Sequence, residues 1–137
     1  MWSDSHTHLN DQAYREDYPD VIKAAIAGGV TSMLVVGFDL PSSRRAVGLA
    51  REYRMLRAAV GLHPHDAKTW NSETEGQLRE LLAEPEAVAV GEIGLDYHYN
   101  YSSKEDQLKA FKEQLAIAKE YNKPIIIHDR EAHQDTL

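Results

Sequence analysis

Short apolar segments alternate with longer amphipathic segments along the whole chain. The apolar segments are mostly β-branched or aliphatic and are bounded by glycine, proline or polar residues, which is typical of buried strands. Four of them are clear, and the polar opening of the chain is a weaker fifth candidate. The predicted strands are 1–8, 31–38, 54–62, 87–95 and 123–128.

Helical patterns fill the intervals between these strands. Residues 19–28 and 41–53 each begin with a proline suited to a first helical turn and place their apolar side chains on one face. Two S-x-x-E capping boxes, Ser72 with Glu75 and Ser102 with Glu105, predict two further helices. The resulting order, β-α-β-α-β-α-β-α-β in a single domain over 1–137, predicts an α/β fold with a parallel sheet covered by helices.

Composition narrows the classes of function. With 15 basic and 22 acidic residues the net charge is −7, which argues against coating nucleic acid through bulk electrostatics but allows phosphate binding through a metal. The chain has no cysteine, which excludes disulfides and zinc–thiolate sites and fits a reducing cytoplasm. The N-terminus lacks signal-peptide features, and no apolar run reaches the roughly 18 residues that span a membrane. We therefore expect a cytoplasmic protein without a membrane segment.

Histidines and one glutamate gather at the carboxyl ends of the predicted strands. They are His6 and His8 on the first strand, His63 and His65 after the third, Glu92 at the fourth and His128 at the fifth. Because the carboxyl ends of parallel strands point to one rim, we expect these side chains to lie together in a site. His98 and His133 fall outside this pattern and are interpreted as a loop residue and an early helix or surface residue.

The spacing of these residues favours a metal site over unrelated polar positions. His6 and His8 stand two residues apart, so in a strand both imidazoles point the same way and can close on one ion. A lone H-x-H pair is weak, and Pro64 could make its neighbours a polar turn. Glu92 and His128 each follow an apolar run, however, and need a partner there. A histidine and carboxylate set without thiolate suits Zn²⁺, Mn²⁺, Co²⁺ or Mg²⁺.

The linked motifs DSHTHL, GLHPH, GEIGLDYHY and IIIHDREAHQDTL, taken in order, resemble the TatD family of metal-dependent hydrolases. That family belongs to the amidohydrolase superfamily of TIM barrels. The resemblance implies that this chain is the N-terminal part, about five βα units, of a (β/α)₈ barrel, which typically needs about 250 residues. It also implies a deoxyribonuclease or phosphodiesterase acting on DNA or another phosphodiester.

The resemblance further implies roles for individual residues. Two divalent ions per complete site would activate a water molecule for hydrolysis. His6 and His8 would bind the first ion, His128 the second, and Glu92 would bridge both as the catalytic carboxylate of this chain. Substrate contacts at the rim would come from His63, His65, Asp96, Tyr97 and Arg130.

The chain also departs from the family pattern. The family places a further metal-binding histidine after a sixth strand and an aspartate general base near an eighth. His133 and Asp135 lie too close to His128 to replace them. We therefore expect a partial metal site, little activity from this chain alone, and open sheet edges that pair with another copy or a complementary half.

Three alternatives stay open at this point. One is another amidohydrolase-superfamily hydrolase, although Glu92 stands where those enzymes usually carry a carboxylated lysine. A second is a phosphoesterase of the polymerase-and-histidinol-phosphatase type, which also opens with paired histidines. The third is a non-catalytic barrel fragment that binds metal or a partner.

Overall fold

The computed structural model describes residues 1–137 and contains a single five-stranded sheet. The strands are β1 (Trp2–Thr7), β2 (Val30–Val36), β3 (Leu56–Val60), β4 (Ala87–Asp96) and β5 (Ile125–Arg130). They lie side by side in chain order, and every neighbouring pair is parallel. The predicted parallel α/β fold is confirmed, including the weak first strand.

Helices connect successive strands as predicted. They are α1 (Tyr18–Ala27), α2 (Leu40–Glu52), α3 (Ser72–Leu82), α4 (Lys104–Glu120) and the short α5 (His133–Thr136). Two short 3₁₀ helices, Gln12–Tyr14 and Pro64–Thr69, stand in the loops after β1 and β3. None of the helices combines the length and the apolar character that crossing a membrane requires.

The two predicted capping boxes are wrong by one residue. Asn71 caps α3 by accepting the Thr74 N–H at 2.9 Å, and Ser103 caps α4 by accepting the Asp106 N–H. Asparagine and serine are equally good caps, so the sequence pattern alone does not choose between adjacent candidates. Ser102 instead donates its hydroxyl to the His65 carbonyl, which ties the start of α4 to the loop after β3.

The main core lies between the helices and the outer face of the sheet. Its largest fully buried side chains include Ile22, Leu56, Leu78, Ile93 and Ile117, which come from strands and helices alike. A smaller apolar cluster of Val36, Ala59 and Ala89 lies on the inner face of the sheet.

Two buried glutamines of α4 hold the carboxyl ends of two strands. Gln114 accepts the Leu62 N–H at 2.8 Å and donates to the Leu62 carbonyl at 3.1 Å. Gln107 makes the same pair of bonds with the backbone of Asp96, at 2.8 and 3.0 Å. Each amide thus satisfies a backbone donor and acceptor where the strand stops pairing.

The sheet stays open, with β1 and β5 as its edges. Trp2 on β1 is 70% exposed, and Ile127 on β5 is 45% exposed. Five consecutive βα units in an unclosed sheet are the arrangement expected for the N-terminal part of a TIM barrel, and this prediction is confirmed.

Candidate metal centre

Six side chains predicted to form a site converge at the carboxyl end of the sheet. Four of them, His8, His63, His65 and Glu92, line a pocket of about 310 Å³ together with Phe38 and two aspartates. His6 and His128 contact Glu92 from opposite sides. Glu92 lies within β4, four positions before the strand ends, and His128 lies within β5 rather than at its end.

Curvature of the sheet makes this convergence possible. In a flat sheet, β1 and β4 would lie about 14 Å apart, since neighbouring strands are spaced by about 4.8 Å. Yet His6 Nε2 on β1 is only 3.5 Å from Glu92 Oε2 on β4. The sheet is therefore curved toward its inner face, as the sheet of a β-barrel is.

The first donor group consists of His6, His8 and Glu92. The two imidazole Nε2 atoms are 3.2 Å apart, and they lie 3.5 and 3.9 Å from Glu92 Oε2. Ligand atoms bound to one ion at about 2.1 Å are separated by about 3.0–3.4 Å. The group is therefore close to the geometry of three ligands on one divalent ion.

The hydrogen bonds of His8 prepare its ring for this role. Its Nδ1 is 3.1 Å from the Val36 carbonyl, which can only accept, so Nδ1 carries the proton. In the neutral imidazole this leaves a lone pair on Nε2, the atom that faces His6 and Glu92. A carbonyl that fixes the tautomer in this way is the usual support of a metal-bound histidine.

The second donor group lies on the other side of Glu92 and includes His128. His128 Nδ1 is 3.2 Å from Glu92 Oε1, and its Nε2 is 2.9 Å from Asp96 Oδ2. Because an ionised Asp96 can only accept, Nε2 must donate to it, so beside Glu92 the Nδ1 atom carries a lone pair in the neutral ring and an N–H in the protonated ring. The donors on both sides of Glu92 thus fit a hard or borderline divalent ion.

The buried carboxylate of Asp96 orients the imidazoles of His65 and His128 by hydrogen bonding. Its Oδ2 accepts from His65 Nε2 at 3.0 Å and from His128 Nε2, while its Oδ1 accepts the backbone N–H groups of His98 and Tyr99. Burial alone would raise the pKa of the Asp96 carboxyl. The hydrogen bonds from the Tyr99 backbone, His128 and His65 outweigh burial and hold this pKa well below its usual range.

His63 is built as a neutral hydrogen-bond donor. Its Nδ1 accepts the His65 N–H at 3.1 Å, so the neutral ring carries its proton on Nε2. Burial, followed by the nearby His128 and His65, lowers the pKa of His63 to about 4. His63 lies near enough to Glu92 and His128 to complete a third donor position. Its only deprotonated nitrogen is already occupied, however, so it suits binding of substrate oxygens better than binding of metal.

Glu92 and His128 each stabilise the charged form of the other. Burial would raise the pKa of Glu92, but the hydrogen bond from His128 and the neighbouring His6 lower it overall. The hydrogen bond to Glu92 raises the pKa of His128 against the effect of burial. A proton on His128 therefore occupies the place that a cation would take beside Glu92.

Three residues that were predicted to contact substrate at the rim lie outside the group of six converging side chains. Asp96 is fully buried and lies behind the imidazoles of His65 and His128, and its predicted role in positioning substrate or the Glu92 loop stays a prediction. The Tyr97 hydroxyl donates to Asp135 Oδ2 at 2.7 Å, and burial and Asp135 raise its pKa to about 12. Tyr97 lines a separate pocket with His133, away from the six converging side chains. Arg130 lies over the ring of Tyr99 and makes no ion pair.

The structure also adds what the sequence patterns missed. The hydrogen bonds by which Asp96 orients His65 and His128, the donor tautomer of His63 and the strand-end contacts of the two glutamines of α4 were not predicted. For Asp96 a signal existed, because an aspartate that ends a long apolar strand needs buried partners. His98 pairs with Glu131 in a loop and His133 with Asp129 at the start of α5, in agreement with the positions predicted for both histidines.

Imidazole and carboxylate donors at the strand ends of a parallel half-barrel are an arrangement suited to the class of metal-dependent barrels. The family model for the TatD related DNase matches residues 3–137, and the chain belongs to this family. The earlier resemblance to TatD proteins is confirmed.

Individual relatives agree with this assignment. The chain is 44% identical over its full length to the uncharacterized metal-dependent hydrolase YabD of Bacillus subtilis, of which it covers 54%. It is 40% identical over 131 residues to the 3'-5' ssDNA/RNA exonuclease TatD of Escherichia coli K12, matching 96% of this chain and 50% of that protein. The crystal structure of the TatD homolog YJJV from Escherichia coli K12 superposes with a TM-score of 0.91 at 32% identity, over 98% of this chain and 53% of the other. The chain thus spans about half the length of the curated relatives it matches.

Proposed function

We propose that this chain carries the first part of a metal-dependent hydrolase site that cleaves phosphodiester bonds in nucleic acid. The observation that carries the proposal is the position of Glu92. Its two carboxylate oxygens face two separate imidazole groups, at 3.5 Å from His6 Nε2 and 3.2 Å from His128 Nδ1. Relatives named as ssDNA/RNA exonucleases support nucleic acid as the substrate class.

In this proposal His6, His8 and Glu92 hold one divalent ion, and Glu92 and His128 contribute to a second. Bound Mg²⁺, Mn²⁺, Zn²⁺ or Co²⁺ would supply Lewis-acid stabilisation of a phosphoryl group and would lower the pKa of water. Glu92 contributes the only carboxylate that faces both imidazole groups. Its charge would offset part of the charge of bound ions.

The remaining residues bind and orient substrate. His63 presents a neutral Nε2–H, which donates to a phosphate oxygen without bringing a charge that would repel the ions. His65, held by Asp96, lines the same pocket and closes it on the side of the loop after β4. Arg130 keeps its guanidinium free of carboxylates, so it remains available to a phosphate.

We propose further that residues 1–137 form one domain with an incomplete site. The family's additional histidine and general-base aspartate are not among these residues, so we expect little hydrolysis by this chain alone. The exposed edges β1 and β5 are suited to pairing with another copy of this chain or with a complementary half-barrel.

Metal titration of the 137-residue chain tests the centre. Calorimetric titration with Mn²⁺, Zn²⁺ and Co²⁺ should show binding that Glu92→Gln abolishes, because the amide removes the charge that both groups share. Asp129→Asn, which alters a carboxylate at the same end of the sheet with no contact to Glu92, should bind as the unaltered chain does. Equal binding by the Glu92→Gln variant would contradict the bridging role.

Hydrolysis assays test the completeness of the site. Single-stranded DNA and bis(p-nitrophenyl) phosphate should be cleaved slowly or not at all by the chain alone. Co-purification with the C-terminal half of the Bacillus subtilis relative YabD should restore metal-dependent cleavage. Robust turnover by the pure chain would show that the site is complete within 137 residues, and failure of both samples on every phosphodiester would contradict the proposed function.

A further inference from the structure

Two exposed tyrosines in the loop after β4 form a column of parallel rings. The ring centroids of Tyr99 and Tyr101 are 5.3 Å apart, and their planes differ by only 5°. The side chains are 46% and 56% exposed, so neither ring is part of the core. The Arg130 guanidinium lies 4.7 Å above the ring of Tyr99 and extends the column by one member.

This column stands directly beside the metal centre. The ring of His65 meets Tyr101 edge-on at 4.9 Å and Tyr99 at 5.6 Å. His65 in turn hydrogen-bonds Asp96, which also holds His128. A nucleotide whose phosphate lies at Glu92 and His128 therefore has its base within reach of the tyrosines.

The loop that carries the column is held in place by backbone contacts. Asp96 Oδ1 accepts the Tyr99 N–H, and the Lys68 ammonium donates to the Tyr101 carbonyl at 3.3 Å. Ser102 links the loop to His65 and to the backbone of Lys68. The rings thus stand on a fixed backbone, which lowers the entropy cost of placing a further ring against them.

The environment of the column suits a nucleobase better than a protein side chain or a lipid. Tyr101 is 56% exposed and stacks on one aromatic ring, that of Tyr99, while the ring of His65 lies at 86° to it. Positive charge from Arg130 and Lys68 lies beside it in a chain whose net charge is −7. Aromatic faces bordered by cationic groups are how proteins bind single-stranded nucleic acid without reading its sequence.

We propose that Tyr101, backed by Tyr99 and Arg130, is a stacking platform for one base of a single-stranded nucleic acid whose phosphodiester lies at the metal centre. The inference rests on the proposed function and specifies how its substrate is held. A base stacked on the exposed ring of Tyr101 continues the column, so binding tolerates all four bases and requires an unpaired nucleotide.

Oligonucleotide binding by the 137-residue chain in Mn²⁺ tests the platform. Fluorescence anisotropy would compare end-labelled decathymidylate with an abasic oligomer of the same length, and gels would verify that neither is cleaved. Tyr101→Ala should weaken binding of decathymidylate by about 5- to 150-fold, the usual effect of losing one stacked base. Tyr101→Trp should retain the affinity, and the abasic oligomer should bind the unaltered chain and Tyr101→Ala equally.

A matched control is Tyr14→Ala, which removes a tyrosine that is 40% exposed on the 3₁₀ helix after β1 and should leave binding unchanged. Circular dichroism and Mn²⁺ titration of each variant would verify the fold. The platform is overturned if Tyr101→Ala binds decathymidylate as the unaltered chain does. It is equally overturned if that variant loses affinity for both oligomers alike, or if the unaltered chain binds neither. These outcomes leave the proposed hydrolase function to be judged by the metal titration and cleavage assays.

Discussion

Replacing Asp96 with asparagine should disable the second donor group without removing any ligand. Both orientations of the new amide are unfavourable. If its oxygen keeps the backbone N–H groups of His98 and Tyr99, its NH₂ faces the Nε2–H groups of His65 and His128. If it turns around, the NH₂ faces two backbone donors instead.

The imidazole of His128 can relieve this conflict only by changing tautomer. Its Nε2 would then accept, and its Nδ1 would carry the proton toward Glu92, where a metal ion needs the lone pair. Loss of two hydrogen bonds to a buried carboxylate should lower the free energy of unfolding by about 3 kcal/mol. Loss of the group that orients a metal-bound histidine typically lowers metal affinity by about 10- to 100-fold.

Calorimetric Co²⁺ or Zn²⁺ titration and urea unfolding of Asp96→Asn measure these two effects. Asp129→Asn is the matched control, because its carboxylate holds His133 and the backbone at Ala132 but touches no candidate ligand. An Asp96→Asn variant whose metal affinity and stability both equal those of the unaltered chain would refute the tautomer argument.

Three further predictions concern stability. Below pH 3.8 the unaltered chain should lose stability more steeply than Asp96→Asn. The folded-state pKa of Asp96 is lowered, so its carboxylate stabilises the fold above the unfolded-state pKa and stops doing so as it is protonated. Urea unfolding at stepwise lower pH should show the unfolding free energies of the two proteins converging. Gln107→Leu should cost about 3 kcal/mol in the same assay, because it leaves the buried backbone N–H and carbonyl of Asp96 without partners. Gly94→Ala should cost about 3 kcal/mol or more in thermal unfolding, because Gly94 has φ +145° and an added Cβ would lie 1.9 Å from the His128 carbonyl oxygen. Its control, Gly76→Ala, adds a methyl group in open space on α3 and should stabilise by about 0.5–1 kcal/mol, and equal melting temperatures for the two variants would contradict the packing argument.

The fold was predictable because its signals are local. Apolar runs bounded by glycine and proline mark the strands, and their alternation with helices leaves a parallel sheet as the simple solution. The convergence of His6, Glu92 and His128 followed from the same rule, since all lie toward one end of their strands. The exact caps were not predictable, because Asn71 and Ser72 are equally suitable in sequence.

The connections behind the site were not predictable from the sequence alone. That Asp96 is buried, and that Gln107 reaches back to hold its backbone, depends on how closely α4 packs on β4. The positions of Tyr97 and Arg130 depend on the path of the loops after β4 and β5, which local patterns do not determine.

The curl of the sheet gives bound metal a mechanical role as well as a chemical one. The candidate ligands His6, Glu92 and His128 lie on β1, β4 and β5, and so they come from both edge strands of the curved sheet. Ions bound between these strands would link the two edges of the sheet, and their binding energy would oppose flattening of the sheet. By linkage, each tenfold excess of metal over its dissociation constant adds about 1.4 kcal/mol to the curved state. Any substitution on the concave face that spreads the strands must then weaken metal binding, even where it touches no ligand.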